Sequence, residues 1–221
     1  MLIAGCMVDK PLQPIARLLL AHGAGAPMDS AFLQQLAEQL CQLGIEVWRF
    51  NFAYMAKTVA GKKQPPSKMP VLLQEMVNLI AMLPDDLPLV IAGKSMGGRV
   101  ATVLAADAEM LPSQVRAVVV FGYPFCPPAK QSQGIAVRTT HFTQLQRPLL
   151  ILQGDRDAFG TPAELTGAHW PLVDIHWLAG GDHDLKTLKR HAHSQAQLLT
   201  QAAECAASFM QRKLKAESSQ Q

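Results

Sequence analysis

The chain has 221 residues, 49% of them apolar, and its 20 basic and 17 acidic side chains leave a net charge of +3. That composition supplies one substantial core and excludes a disordered, collagen-like or coiled-coil chain. The basic residues are spread out rather than gathered into a stripe, which argues against nucleic acid as a partner. No apolar run reaches the ~18 residues of a membrane span, which argues against a membrane.

In chain order, "MLIAGC" ends at Cys6 like a lipoprotein cleavage box. No basic residue precedes its short apolar run, and a signal core needs roughly 7 to 15 residues, so a cytoplasmic location is expected. A strand is expected at 17–22 ("RLLLAH"), followed by the Gly-rich loop "HGAGAPMDS" and a helix. In that helix Phe32, Leu33, Leu36, Leu40 and Leu43 recur at helical spacing, with Asp29 and Ser30 available as caps and Gly44 as terminator. A strand at 46–50 ("EVWRF") leads into 56–68, a polar, Pro-rich segment read as a surface loop. Met69, Leu72, Leu73, Met76, Val77 and Ile80 then mark a second helix that stops before Pro84.

Further strands are expected at 87–93 ("LPLVIAG"), 116–122 ("RAVVVFG"), 148–154 ("PLLILQG") and 173–179 ("VDIHWLA"). One helix should start just after Ser95, and a last one should run over 194–214, before the polar tail "KAESSQQ". Residues 122–147, where a helix might stand after a strand, are too short for a lid domain and long enough for a flap. Most strands are unbroken apolar runs, as strands covered on both faces are. Their alternation with helical segments is the pattern of βαβ units around a parallel sheet, in one domain spanning 1–221. Cys6, Cys41, Cys126 and Cys205 lie far apart with no histidine at ligand spacing, so they are expected as free buried thiols, with no metal and no cofactor.

The string "AGKSMGGR" admits two chemistries. Lys94-Ser95 could end a phosphate loop, but that loop needs a glycine at position 88, which is Pro88, and a flexible stretch at 89–92, which is apolar strand. Gly93-Lys94-Ser95-Met96-Gly97 fits Gly-x-Ser-x-Gly instead. There a serine sits on a strained strand-to-helix turn, and the flanking glycines remove side chains that would collide across it. Such a turn lifts Ser95 to the C-terminal edge of the sheet, where open α/β folds bind ligands.

A serine hydroxyl needs a base to take its proton and an acid to orient that base, in the chain order Ser, acid, His. "QGDRDAFG" supplies Asp157, with Asp155 as a rival, and "GGDHDLK" supplies His183. His22, His141, His169, His176, His191 and His193 read as structural or solvated, and Asp182 and Asp184 as turn formers. Oxyanion donors are expected from the Met96 amide and from Ala24 or Gly25 in the loop after the first strand. Lys94 and Arg99 near the turn read either as tolerating an anionic group or as solvated charges at a helix start.

The motifs "HGAGAPMD", "RFNFAYM", "GKSMGGR", "GYPFCPP", "ILQGDRDAFG" and "GGDHDLK" follow in that order between positions 18 and 189. Together they resemble the compact α/β-hydrolase family of bacterial predicted hydrolases. That family includes animal testis-expressed protein 30 and the hydrolase-like part of subunit 3 of the nonspecific-lethal chromatin complex. The resemblance implies an α/β-hydrolase fold with a mostly parallel sheet of about six to seven strands, helices on both faces and no large lid. It implies Ser95 as nucleophile, Asp157 as acid and His183 as base of a serine hydrolase acting on an ester, thioester or similar acyl bond of a small molecule. It also draws Arg49, Asn51, Tyr54, Tyr123 and Phe125 to the pocket rim. The sequence departs from the pattern at Cys126, where histidine is common, and at Ala158, where proline is common. Because the chromatin relatives work as complex subunits, the alternative is a catalytically idle binding or scaffold protein; three filled triad positions favour an enzyme.

Overall fold

The computed structural model describes residues 5–129 and 134–218. Positions 1–4 of the N-terminal box, 130–133 of the 122–147 connection and 219–221 of the tail lie outside the described residues. Seven strands form one sheet: β1 (Cys6–Asp9), β2 (Ala16–Ala21), β3 (Ile45–Phe50), β4 (Leu89–Lys94), β5 (Val115–Phe121), β6 (Leu149–Gly154) and β7 (Val173–Leu178). Their order across the sheet is β1-β3-β2-β4-β5-β6-β7, with β1 antiparallel to β3 and every other pairing parallel. Among the described residues six helices accompany them: α1 (Ala31–Gln42), α2 (Ala53–Val59), α3 (Met69–Met82), α4 (Met96–Ala105), α5 (Ala136–Thr139) and α6 (Gln195–Ser218).

Alternate side chains of the central strands feed two cores. Leu19, Ala21, Ile91, Val118 and Val120 pack with α3 and α4, together with Phe52, Tyr54 and Met55. Leu18, Leu20, Val90, Val119 and Phe121 pack on the other face against α1 and α6. Burial on both faces is why these strands read as unbroken apolar runs. Strand order reverses at β2, which lies between β3 and β4, so the loops leaving β2 and β4 open a crevice at the C-terminal sheet edge, where such folds hold ligands. No helix among the described residues is long and apolar enough to cross a membrane.

Several expectations change. The edge strand β1 has no counterpart in the sequence reading, and α2 occupies the start of the expected 56–68 loop. The helix α6 continues past 214 into the tail. Ser30 stands at the N-cap of α1 without a side-chain capping bond. The connection after β5 holds α5 and a 3-10 turn, Thr140–Gln144. None of the four cysteines forms a disulfide, and only Cys126 is buried; Cys6, Cys41 and Cys205 are partly exposed.

Candidate active site

Ser95 is the single residue between β4 and α4, with φ 50° and ψ −112°, a conformation that costs a non-glycine residue on the order of 1–3 kcal/mol. The surroundings enforce it. The Ser95 amide donates to the Phe121 carbonyl at 3.1 Å, and the Ser95 carbonyl accepts from the Arg99 amide at 3.0 Å, so strand and helix grip the turn from both sides. A Cβ on Gly93 would lie 2.3 Å from the Gly97 carbonyl carbon, which explains the glycines on either side.

Asp157 and His183 meet Ser95 from two later loops. His183 Nδ1 donates to Asp157 Oδ2 at 2.8 Å, so Nε2 is the acceptor, 2.9 Å from the Ser95 hydroxyl that donates to it. Asp157 is fully buried, and its other oxygen accepts from the Phe159 amide at 2.8 Å. The rival acid is engaged elsewhere, because Asp155 Oδ1 accepts from the Gly180 amide at 2.8 Å and braces the turn before His183. Asp182 folds the next turn, its Oδ1 accepting from the amides of Asp184 and Lys186 at 2.9 Å each. Leu185 completes that turn at φ 59°, its side chain buried in the core beneath. The Phe159 ring lies 4.4 Å from the His183 ring, centroid to centroid, and limits its rotation.

Gln153 is a site residue the sequence reading missed. Buried at the end of β6, its Nε2 donates to Asp157 Oδ2 at 2.7 Å and to the Tyr123 carbonyl at 3.2 Å, while its Oε1 accepts from the Tyr123 amide at 2.7 Å. The signal was a lone amide inside an apolar strand, which must be satisfied internally. Gln153→Leu keeps the volume and strands these partners in the core. We expect a loss of about 2–4 kcal/mol, read as a fall in Tm of roughly 5–15 °C.

The crevice beside Ser95 is an open cleft of about 540 Å³ lined by Gly23, Ala24, Gly25, Phe32, Phe159 and His183 among others. Met96, Ala24 and Gly25, the expected oxyanion donors, all stand at this edge. Met96 is the first residue of α4, where amides have no intrahelical acceptor, and Ala24 and Gly25 line the cleft. The five rim candidates are placed behind the cleft wall rather than along it. Asn51 Oδ1 accepts from the Met28 amide at 2.9 Å, and Arg49 donates to the Met28 carbonyl at 3.1 Å and to Asp9. The Tyr54 hydroxyl donates to the Ala24 carbonyl at 3.2 Å, and burial pushes its pKa up to about 12. These three hold the β2–α1 loop from beneath, whereas Tyr123 and Phe125 are fully buried. A strand-end side chain can face the ligand or the loop that frames it, and Arg49, Asn51 and Tyr54 bond to that loop.

His22 is another such support, buried with Nδ1 donating to the Gly23 carbonyl at 2.5 Å and Nε2 accepting from the Phe52 amide at 3.1 Å. Burial depresses its pKa, which suits a neutral ring with one donor and one acceptor. Lys94 is no solvated charge either. Its side chain is 9% exposed, and its ammonium pairs with Asp184 at 3.3 Å, tying the end of β4 to the His183 loop. Burial pushes the Lys94 pKa down, and the charge of Asp184 opposes that shift. Among the described residues no group of three or more His, Cys, Asp or Glu side chains is gathered to hold a metal ion.

A family model described as an alpha/beta hydrolase domain matches residues 14–211. A comparison with curated proteins found no match in sequence. Among solved structures, the chain is similar to Est1E from Butyrivibrio proteoclasticus with ferulic acid bound, at TM-score 0.69 and 15% identity over 95% of each chain. It is similar to dienelactone hydrolase from Anabaena variabilis at TM-score 0.69 and 20% identity, covering 94% of this chain and 91% of that one. An alpha-beta serine hydrolase homologue from Coxiella burnetii aligns at TM-score 0.65 and 19% identity, covering 92% and 90%. At these identities the likeness speaks for the fold.

Proposed function

The chain belongs to the alpha/beta hydrolase domain family, and on that premise we propose that it is a serine hydrolase of ester, thioester or similar acyl bonds, working through an acyl-enzyme. The observation that carries this reading is the unbroken relay from Ser95 through His183 to a buried Asp157, opening on a cleft. In the cycle proposed, Ser95 Oγ attacks the acyl carbon while His183 Nε2 takes its proton. The tetrahedral adduct collapses, and the departing alcohol or thiol receives that proton from His183. Water, deprotonated by the same nitrogen, then attacks the acyl-enzyme, releasing the acid and restoring the Ser95 hydroxyl. Asp157 keeps the imidazole in the tautomer that leaves Nε2 free, and it stabilises the imidazolium.

The amide of Met96, together with that of Ala24 or Gly25, is assigned to the oxyanion, where losing one donor typically costs ~10²–10³ in rate. An open cleft without a large lid suits small acyl substrates. The cycle needs no cofactor. The motif series between positions 18 and 189 further supports kinship with testis-expressed protein 30 and with the hydrolase-like part of subunit 3 of the nonspecific-lethal complex; a cytoplasmic location and one domain over 1–221 are proposed from the sequence's short N-terminal apolar run, length and composition. The test is covalent labelling of the purified protein by a fluorophosphonate. Wild type is expected to label and Ser95→Ala to stay unlabelled. Equal labelling of the two, or none in either, overturns the nucleophile assignment, and the second result is the one an idle scaffold gives.

A further inference from the structure

Arg99 lies one helical turn beyond Ser95 on α4, and it is absent from the lining of the Ser95 cleft. Its charge acts instead on Tyr123, Arg138 and His141. Its Nε is buried without a hydrogen-bond partner. Arg138, on α5, donates from Nη1 to the Pro124 carbonyl at 3.0 Å, and its own carbonyl accepts from the Tyr123 hydroxyl at 2.6 Å. His141 closes the group, with Nε2 3.0 Å from Thr102 Oγ1. Burial, and then the charge of Arg99, push its imidazole down to about 4, so the ring is neutral near pH 7.

The two fully buried arginines each have a carboxylate, and the partly buried Arg147 is met by the Val115 and Gln146 carbonyls. Arg17 pairs with Glu46 and Asp86, and Arg49 pairs with Asp9. Among the described residues no carboxylate pairs with Arg99 or Arg138. The sequence offers none nearby in the chain either, because no Asp or Glu occurs between Glu109 and Asp155, the span that holds Tyr123, Arg138 and His141. Two guanidiniums keep their charge at neutral pH, so an anion standing between neighbours of this kind relieves their repulsion. A planar or tetrahedral oxyanion accepts from both forks at once and would satisfy the orphaned Nε.

We propose that Arg99 and Arg138, with His141 beside them, form a binding site for a small oxyanion, a carboxylate or a phosphate, separate from the Ser95 cleft. The site does not depend on Ser95 being a nucleophile. Isothermal titration of the full chain at fixed ionic strength, with succinate and with inorganic phosphate as probes, tests it. Wild type and Ser95→Ala are expected to bind at least one probe saturably, with Kd of about 1 mM or below. Preference for succinate assigns a carboxylate ligand, and preference for phosphate assigns a phosphoryl group. Arg99→Gln and Arg138→Gln should each weaken binding at least ~10-fold. Arg138 sits on a short, partly exposed helix, so Arg138→Gln decides the matter if Arg99→Gln fails to fold. Absence of saturable binding in wild type, or binding unchanged in Arg138→Gln, overturns the proposal. Retained binding in Ser95→Ala keeps this outcome apart from that of the labelling experiment.

Discussion

Asp157→Asn is expected to lower kcat for ester hydrolysis by about 10⁴ with little change in KM, while Asp155→Asn lowers it by less than about tenfold. The contrast follows from what each carboxylate receives. Asp157 Oδ2 accepts from His183 Nδ1 at 2.8 Å, and Asp157 is itself fully buried. Its two oxygens also accept from Gln153 and from the Phe159 amide. An asparagine supplies only one oxygen for these three donors. Its amide group must then oppose at least one of them, and the imidazole can escape the conflict by moving its proton to Nε2. In that tautomer the ring points a proton at Ser95 Oγ and cannot receive one, so the chemical step suffers while substrate binding does not. Asp155 accepts a single backbone bond, from Gly180, and an asparagine oxygen can keep it. Steady-state kinetics on any ester that the wild type cleaves reads both variants. Equal damage from the two substitutions would remove Asp157 from its assigned role.

The strands were legible because burial on both faces leaves a run such as "LLLA" or "VVVF" no polar position, and the observed β2 and β5 fall within a residue of where those runs put them. The turn at Ser95 was legible for a different reason: its glycines are demanded by close approach, so the spacing itself carries the geometry. β1 escaped notice because "CMVD" is a short edge strand with only one covered side and no regular alternation. α2 was hidden by the lysine and threonine it turns outward. Asp157 could be preferred over Asp155 from the sequence, but what separates the two is tertiary: His183, 26 positions on, donates to Asp157, while the Gly180 amide takes up Asp155. The same holds for Lys94, whose partner Asp184 lies 90 positions away and is brought near only when the His183 loop folds over the sheet edge. Arg49, Asn51 and Tyr54 show the limit most clearly. Their polarity marks them as engaged, but only the path of the β2–α1 loop decides that they grip backbone rather than ligand.

Gly97→Ala is expected to cost more than about 3 kcal/mol of stability, a fall in Tm of roughly 10 °C or more, before any effect on chemistry is counted. A Cβ at Gly97 would stand 2.5 Å from the His22 carbonyl oxygen and 2.8 Å from the Ala21 Cβ. Neither neighbour can give way cheaply. Ala21 is the last residue of β2, hydrogen-bonded between β3 and β4, and His22 is held through both ring nitrogens by Gly23 and Phe52. Relief requires α4 to lift from the sheet, which forfeits the close packing at Gly98, where even an added Cβ would lie 2.3 Å from Val120 Cγ1 and 2.8 Å from the Gly93 carbonyl oxygen. Lifting α4 would also carry the Met96 amide and the Ser95 backbone away from the β2–α1 loop. Any folded fraction of the variant should therefore lose acyl transfer along with stability. Gly25→Ala is the control: a Cβ there meets nothing within 4 Å, so its Tm should stay within about 2 °C of wild type. Thermal denaturation of the two variants side by side separates a turn built on close backbone approach from a loop whose glycine is merely permitted. A Gly97→Ala protein as stable as Gly25→Ala would show that α4 does not pack on β2 as closely as the Ser95 turn requires.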